Sequence, residues 1–395
     1  MIVDAGTRSG SLSSRGGVAA ELSALVRRLD WVLLLAAAAL VGYGLWAVSG
    51  ITRFDVPGEP DYFVVRQALA AGIGLAGLVV AIVVPPTLYL RHWRLAYGLT
   101  IALMVFVLGA AETIRGSRRW IDVGPFQFQP SEFGKIIFVL AIAGFLVERA
   151  RRVRRFSTVF VAVGLGAVPM ALVFLQPDLG TALVYSAALV AVLLVAGVRW
   201  LHLGILLAAG VLLLAGILWF LPSAGIDILQ PYQARRVTAF VNPDADPSGL
   251  TWNVTQSITA IGAGGLDGRG PAGASQTRLD YLPEHATDFV FASFAEQRGF
   301  FGAAILLLLY LLVVWRGLRV VTVAGDLFSA VVAAGIVFGF LFQVFVNVGM
   351  TMGIAPVTGI PLAFVSVGGS SMVANLVAIG LLQSIHARGQ LFGVR

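Results

Sequence analysis

Residues 282–315 read LPEHATDFVFASFAEQRGFFGAAILLLLYLLVVW, a short polar turn that runs directly into a long apolar segment. The turn carries two acids, Glu284 and Asp288, spaced one helical turn apart. An ionised side chain at the edge of an apolar segment loses hydration, so it is rare there unless it has a partner or a function. The two carboxylates are therefore the first candidates for a functional site.

The composition of the whole chain agrees with the apolar segment. Of its 395 residues, 58% are hydrophobic and only 12% are charged, and the mean hydropathy is +0.90. Soluble domains carry about a quarter charged residues, so the chain is predicted to be an all-α integral membrane protein. A spanning helix needs roughly 20 mostly apolar residues. Ten segments qualify: 31–50, 67–84, 95–111, 133–147, 157–175, 180–197, 203–222, 289–315, 327–349 and 365–386.

The two ends and the connections predict the organisation around these segments. Residues 1–30 are polar and lack the apolar core of a signal peptide, so they are predicted to form a flexible tail, with a second tail at 387–395. Residues 31–386 form the predicted transmembrane domain. Ten spans place both termini on one side, where the connections carry the larger share of the arginines, which indicates the cytoplasm. The long connection 223–288, between the seventh and eighth spans, then lies on the outer face.

The net charge of +7 reflects this arginine bias and an attraction to anionic membrane lipids, and it is no indication of nucleic-acid binding. The chain has no cysteine, which excludes disulfides and thiol chemistry. Motifs of the H-E-x-x-H metal type and the G-x-S-x-G nucleophile type are also absent. These absences leave the polar outer connections as the place to look for chemistry.

The outer connection at residues 112–132 contains Arg118, Arg119 and Trp120. One interpretation is a solvated loop in which the tryptophan sits at the membrane interface. The other is an anion site, because guanidinium groups match phosphate oxygens and an indole face packs on a sugar ring.

Lys135 is the only lysine of the chain and lies just inside the following span. A cation in an apolar segment needs a partner. Asp178, which ends a later connection on the same face, is the candidate, and we expect a Lys135–Asp178 ion pair. The pair would serve either helix packing or substrate binding, and the sequence leaves both open.

The connection 223–288 contains an apolar stretch, Trp252–Ile261, that predicts a helix at the membrane interface. A glycine run at 262–265 follows it, but no strand precedes the run and the G-x-G-x-x-G spacing fails, which excludes a dinucleotide site. Gln256 and Ser257 lie on the predicted helix. They line a substrate groove or pack against a neighbouring helix, and the two readings are equally open.

Five motifs follow one another along the chain: GSRRW at 116–120 with QPSE at 129–132 and Lys135, QPDLGT at 176–181, QS at 256–257 with the glycine run, LPEHATDF at 282–289, and GIPL at 359–362 through GGSS at 368–371. In this order they resemble the SEDS family of membrane proteins, which includes RodA, FtsW and their sporulation relatives. The resemblance covers residues 31–386. NVGM at 347–350 and PVTGIPL at 356–362 are more similar to RodA, the cell-elongation branch, than to the division branch.

The resemblance implies an activity. SEDS proteins are peptidoglycan glycosyltransferases of the bacterial plasma membrane, which polymerise lipid II on the extracytoplasmic face and release undecaprenyl pyrophosphate. Because pyrophosphate is a good leaving group, the reaction needs a base for the attacking hydroxyl and positive charge for the pyrophosphate. The resemblance implies that Asp288 is the base and that a class B penicillin-binding protein is the transpeptidase partner.

The same resemblance gives supporting roles to other residues. The expected substrate-binding residues are Arg66, Arg118, Arg119, Trp120, Lys135, Asp178, Gln256, Ser257 and Glu284. For Glu284 three roles stay open: raising the pKa of the base by repulsion, ligating a divalent cation (Mg or Mn) with Asp288, or capping the entering helix. The chain departs from the family where a histidine is usual at position 286, since it has Ala286 with His285 one position earlier.

Two hypotheses from other classes remain. A flippase for lipid-linked precursors is compatible with a polytopic bundle, but the sequence has no evident inverted repeat and its polar groups cluster on one face. A non-catalytic scaffold of the wall-synthesis complex predicts that Asp288 can be lost without harm.

Overall fold

The computed structural model describes residues 23–110, 119–123, 126–223, 236, 240 and 249–390. Its helices are α1 (Trp31–Ile51), α2 (Tyr62–Val83), α3 (Pro86–Arg91), α4 (Trp93–Ala110), α5 (Pro130–Glu148), α6 (Phe156–Leu175), α7 (Leu179–Val195), α8 (Trp200–Ala215), α9 (Leu221–Ser223), α10 (Leu250–Gly264), α11 (Gly270–Gly273), α12 (Ser275–Arg278), α13 (Val290–Val323), α14 (Leu327–Thr351) and α15 (Gly369–Gly389). A 3₁₀ turn at Ala150–Arg152 precedes α6, and a π-helical turn at Gly216–Phe220 follows α8.

By length and composition, seven of the described helices can cross a membrane: α1, α2, α5, α6, α13, α14 and α15. Three shorter apolar helices, α4, α7 and α8, accompany them. Each of the predicted segments overlaps one of these helices. The predicted apolar helical bundle is therefore confirmed, while the number of crossings and the side on which each connection lies stay predictions.

The core of the bundle is formed by α5, α14 and α15. In their most apolar windows 72%, 67% and 83% of residues are buried, compared with 22% for α2, so α2 exposes most of its surface. α15 nevertheless lies very close to α2, because a Cβ on Gly380 would be only 2.5 Å from the Leu78 carbonyl oxygen. Small residues at such crossings let helices pack closely where no hydrophobic effect drives them together.

A short hairpin is the part of the described fold that the all-α prediction did not include. Its antiparallel strands, β1 (Ile121–Val123) and β2 (Phe126–Phe128), pair Ile121 with Phe128. The Ser370 hydroxyl at the start of α15 donates to the Gln127 carbonyl at 2.8 Å and accepts from the Gln129 amide at 2.9 Å. The hairpin is thereby attached to the bundle at the point where α5 begins.

α10 confirms the helix predicted from Trp252–Ile261, and it packs against α13. α13 is broken at Gly299, whose φ of +67° is left-handed. The amide of Phe300 just after the break donates to the Gly265 carbonyl at 2.8 Å, so the loop after α10 supplies the acceptor that the broken helix lacks. The break thus fixes α10 beside the first turns of α13.

The opposite end of α13 contacts the beginning of the bundle. The predicted tail covered residues 1–30, of which 1–22 lie outside the described residues, whereas residues 23–27 are helical. Asp30 is buried and caps α1 by accepting from the Leu33 amide, so it belongs to the bundle rather than to a tail. Arg316 on α13 binds its carboxylate through Nε at 2.9 Å and Nη2 at 2.6 Å. We call this end of the bundle the Asp30 end. The end at which α13 begins is called the Asp288 end.

Candidate functional site

The turn at residues 283–289, named here the Asp288 turn, leads into α13. Its fold depends on Glu284, which has a left-handed φ of +55° and whose carbonyl accepts from the Thr287 amide at 3.2 Å and the Phe289 amide at 3.1 Å. The Thr287 hydroxyl donates to the Glu284 carboxylate at 2.8 Å. The turn is compact for these reasons, and Asp288 is half-buried at its end.

Two side chains bind the backbone of the Asp288 turn directly, and a third supports one of them. Asn347 on α14 donates through Nδ2 to the Asp288 carbonyl at 3.0 Å and to the Ile360 carbonyl at 2.7 Å. The Ser366 hydroxyl donates to the Thr287 carbonyl at 2.5 Å. Gln67 on α2 in turn donates to the Ser366 carbonyl at 2.9 Å. The main chain that carries Asp288 is therefore fixed from α2, α14 and the segment before α15.

The Asp288 carboxylate lies beside Gly359 and Arg236. A Cβ on Gly359 would be 3.4 Å from Asp288 Oδ2 and 3.4 Å from Arg236 Nη2, so the acid and the guanidinium flank one glycine. Arg236 is held by donating from Nη1 to the Thr358 carbonyl at 2.7 Å. Arg236 lies in the long connection 223–288, and nothing near it in the sequence marks it as a neighbour of Asp288.

A second polar cluster surrounds Asp178, and it shows that the expected Lys135–Asp178 pair is wrong. Asp178 caps α7 by accepting from the Thr181 amide at 3.1 Å, accepts from Gln129 Nε2 at 3.1 Å and lies 3.5 Å from Arg119 Nη1. Because Asp178 caps α7, the backbone of that helix holds its carboxylate. Gln129 and Arg119 reach the same carboxylate from the two ends of the hairpin.

Lys135 bonds to two other groups instead. Its Nζ donates to Glu132 Oε2 at 2.9 Å and to Gln343 Oε1 at 3.0 Å. Glu132 is three residues earlier on α5, on the same helix face, which makes it the nearer partner. The three side chains form the polar end of a cavity of about 50 Å³, whose remaining lining is largely apolar.

The segment 358–361 lies between the Asp288 turn and the group formed by Lys135, Glu132 and Gln343, and it bonds to both. On one side Asn347 and Arg236 bind the Ile360 and Thr358 carbonyls. On the other side Gln343 Nε2 donates to the Pro361 carbonyl at 2.8 Å. The Asp288 turn and the Lys135 group are therefore joined through the carbonyl groups of this segment, in which Gly359 has a left-handed φ of +74°.

The other predicted site residues occupy separate positions. Trp120 is half-buried next to Arg119 at the start of β1, and Arg66 is exposed with its guanidinium 4.3 Å from the centre of the Tyr62 ring. Ser257 is fully buried and donates to the Thr351 carbonyl at 2.7 Å, as a helix-packing residue does.

Gln256 is half-buried on α10. Arg118 lies outside the described residues.

His285 connects the Asp288 turn to the loop between α1 and α2. Its Nε2 lies 3.1 Å and 3.2 Å from the two carboxylate oxygens of Asp55, and its Nδ1 lies 3.5 Å from Asp280. Burial lowers the pKa of His285, but the hydrogen bond and charge of Asp55, with the charge of Asp280, outweigh it and raise the pKa above its ordinary value.

The divalent cation that was expected as an option has no matching set of ligands in the described part of the chain. No group of three His, Asp or Glu side chains among those residues is arranged to hold a metal ion. Because Mg²⁺ is commonly held by one or two carboxylates together with substrate phosphates, a cation at Glu284 and Asp288 stays a prediction.

The fold and the site together define a class of protein: a multi-helix membrane protein with a polar site at one end of its bundle. The sequence profile of FtsW, RodA and SpoVE, described as cell cycle proteins, matches residues 27–390. The chain belongs to this family, and the resemblance drawn from its motifs is confirmed.

Relatives are similar along nearly the whole chain. Stage V sporulation protein E of Bacillus subtilis is 37% identical over 90% of this chain and 94% of its own length. Peptidoglycan glycosyltransferase MrdB of Escherichia coli is 35% identical over 92% and 95%. The probable peptidoglycan glycosyltransferase FtsW of Thioalkalivibrio sulfidiphilus is 37% identical over 92% and 90%. These identities are too close to assign the chain to one branch.

Two solved structures share the fold. A chain from a structure described as "Structural coordination of polymerization and crosslinking by a peptidoglycan synthase complex" has a TM-score of 0.77 at 31% identity and covers 91% of this chain and 98% of its own length. The rod shape determining protein RodA of Thermus thermophilus has a TM-score of 0.65 at 27% identity, over 91% and 96%.

Proposed function

We propose that the protein is a peptidoglycan glycosyltransferase that polymerises lipid II at the extracytoplasmic face of the bacterial plasma membrane. The activity is supported by relatives named peptidoglycan glycosyltransferase that match along almost their entire length. The Asp288 end is the extracytoplasmic end in this proposal, as the distribution of arginines among the connections predicts.

The proposed step forms one bond and breaks one bond. The 4-hydroxyl oxygen of an acceptor N-acetylglucosamine bonds to the anomeric carbon of a donor N-acetylmuramic acid, and the bond from that carbon to undecaprenyl pyrophosphate breaks. The leaving group takes the electron pair, and the Asp288 carboxylate takes the hydroxyl proton. A positioned base of this kind contributes roughly 10² to 10⁴ in rate.

The placement of Asp288 is the observation that carries the proposal. Its main chain is held by Asn347, while its side chain stays half-exposed beside Gly359, where no Cβ occupies the space. A fixed backbone and an accessible carboxylate are what a general base needs, because its geometry toward the hydroxyl must be set before the reaction.

Positive charge for the pyrophosphate has three sources near this acid. Arg236 lies beside the Asp288 carboxylate and donates to the Thr358 carbonyl at 2.7 Å. Lys135 and Arg119 are each close to an acid, Glu132 and Asp178 respectively. We assign Arg236 to charge stabilisation, and Lys135, Arg119 and the adjacent tryptophan of the hairpin to holding the sugar and phosphate groups.

A role in cell elongation and a transpeptidase partner belong to the same proposal. The RodA-like motifs at 347–350 and 356–362 support elongation. A class B penicillin-binding protein is the proposed partner, supported by the structural similarity to a chain described with a complex that coordinates polymerization and crosslinking.

The test is polymerisation of lipid II by the full-length chain purified with its class B penicillin-binding protein. Wild type, Asp288→Ala and Trp120→Ala are compared by glycan chain length on gels. We expect long glycans from wild type, none from Asp288→Ala and shorter or fewer from Trp120→Ala. Polymer from Asp288→Ala at the wild-type level would show that the assignment of the base is wrong.

A further inference from the structure

The Asp288 turn contains a histidine that the proposed reaction does not use. His285 is 9% exposed, its Nε2 is bonded to Asp55, its ring also bonds to the Leu282 backbone, and Asp280 lies 3.5 Å from Nδ1. These contacts on both sides of the imidazole fix the orientation of the ring. The stronger contact is with Asp55, because Asp280 is almost fully exposed while the Asp55 side chain is 22% exposed.

Asp55 reaches the turn from a distant part of the chain. It lies in the connection 52–61 between α1 and α2, 230 residues before His285. Asn347 on α14 and Ser366 before α15 also contact the Asp288 turn, and both donate to carbonyl oxygens of the turn. Asp55 binds the His285 side chain instead. A substitution of either residue therefore removes this contact without removing a main-chain hydrogen bond of the turn.

The backbone on both sides of His285 needs such support. Asp280 and Glu284 both have left-handed φ values, +54° and +55°, although neither is glycine. A left-handed residue with a side chain costs about 1–2 kcal/mol, and strained residues persist only where surrounding contacts fix them. Because the Glu284 carbonyl binds the Phe289 amide, a shift at His285 is transmitted to Asp288.

We propose that His285 is a positioning residue, and that its pairing with Asp55 sets the orientation of Asp288 toward the attacking hydroxyl. The inference rests on the proposed function, since it presumes that Asp288 is the base. It gives the loop between α1 and α2 a part in catalysis, although that loop contributes no reacting group. It also gives a role to the histidine that this chain has one position earlier than the family pattern.

The experiment uses the full-length chain with its class B penicillin-binding protein and lipid II. The variants are Asp55→Ala, His285→Ala, the double variant, and the exchange variant that combines Asp55→His with His285→Asp. Asp280→Asn is the matched control, because it removes the charge at the other ring nitrogen. Initial rates give kcat and KM, and the melting temperature of each variant is measured alongside.

We expect Asp55→Ala and His285→Ala each to lower kcat about tenfold, because small displacements of a catalytic group cost that much or more. KM and melting temperature stay near wild type. The double variant is no slower than the slower single variant, as for two residues that act as one unit, and the exchange variant recovers part of the loss. Asp280→Asn changes kcat by less than about twofold, since exposed charges contribute little.

Losses that multiply in the double variant, a change confined to KM, or a loss matched by a lower melting temperature would each overturn the inference. Asp288→Ala is measured in the same series to separate the two proposals. If Asp288→Ala is inactive while Asp55→Ala is normal, only the positioning role fails. If Asp288→Ala polymerises as wild type does, the proposed base fails, and the positioning role fails with it.

Discussion

Two aspartates lie near opposite ends of α13, and they differ in their burial and in their hydrogen-bond partners. The Asp30 side chain is fully buried, bound by the Arg316 guanidinium and by a helix amide, with Gln383 donating to its carbonyl. Asp288 has its main chain fixed by Asn347, and it is only half-buried, with its carboxylate beside Gly359. The first acid closes a helix junction, whereas the second has the placement that we propose for a base that meets a substrate.

The largest expected effect of a single change on stability is at the Asp30 end. Asp30→Ala leaves the buried Arg316 charge without its partner, which costs about 3–5 kcal/mol. We expect a clearly lower melting temperature in detergent. Asp326→Ala is the control, since Asp326 caps α14 by accepting from the Ser329 amide, and loss of a cap costs about 1 kcal/mol. Equal losses in the two variants would contradict a special role for the Asp30 junction.

A smaller effect is expected where Asn347 holds the Asp288 turn. Asn347→Ala leaves the Asp288 and Ile360 carbonyls without this donor, at a cost of about 1–3 kcal/mol for each group that stays unpaired. Polymerisation should therefore slow together with a moderate loss of stability. Asn375→Ala is the control, because Asn375 donates to Ser371 within its own helix. A wild-type rate for Asn347→Ala would show that the turn keeps its geometry without this contact.

The smallest predicted effect compares two glycines with left-handed backbones. Gly359 (φ +74°) faces Asp288 and Arg236, while Gly58 (φ +84°) has nothing within 4 Å of a Cβ. Alanine at either position costs about 1–2 kcal/mol of backbone strain. We expect similar melting temperatures for Gly359→Ala and Gly58→Ala, with a lower polymerisation rate only for Gly359→Ala. Equal rates would show that the space beside Asp288 is not used.

The parts of this molecule that could be predicted from sequence are those set by neighbouring residues. The apolar segments predicted the helices because hydropathy is a local property, and the stretch Trp252–Ile261 predicted α10 for the same reason. Asp288 was identified as a candidate because it directly precedes an apolar segment. Its chemical role came from motif similarity and stays a proposal.

The contacts that could not be predicted join residues far apart in the chain. Asp30 was assigned to the tail because its partner Arg316 is 286 residues away. Lys135 was paired with the wrong acid although its partner Glu132 lies three residues earlier on the same helix face, and only its second bond, to Gln343, joins distant residues. Arg236 was missed because a long loop gives no indication of which residue folds back onto Gly359.

The role of the Asp288 carboxylate is tested most directly by two isosteric substitutions, Asp288→Asn and Asp30→Asn. Each is made in the chain purified with its class B penicillin-binding protein. Both variants are assayed for the initial rate of lipid II polymerisation and for melting temperature. We expect a crossed result: Asp288→Asn keeps its melting temperature and loses roughly 10²-fold or more in rate. Asp30→Asn loses melting temperature and keeps its rate below that temperature. A wild-type rate for Asp288→Asn would contradict the central claim that this carboxylate is the base.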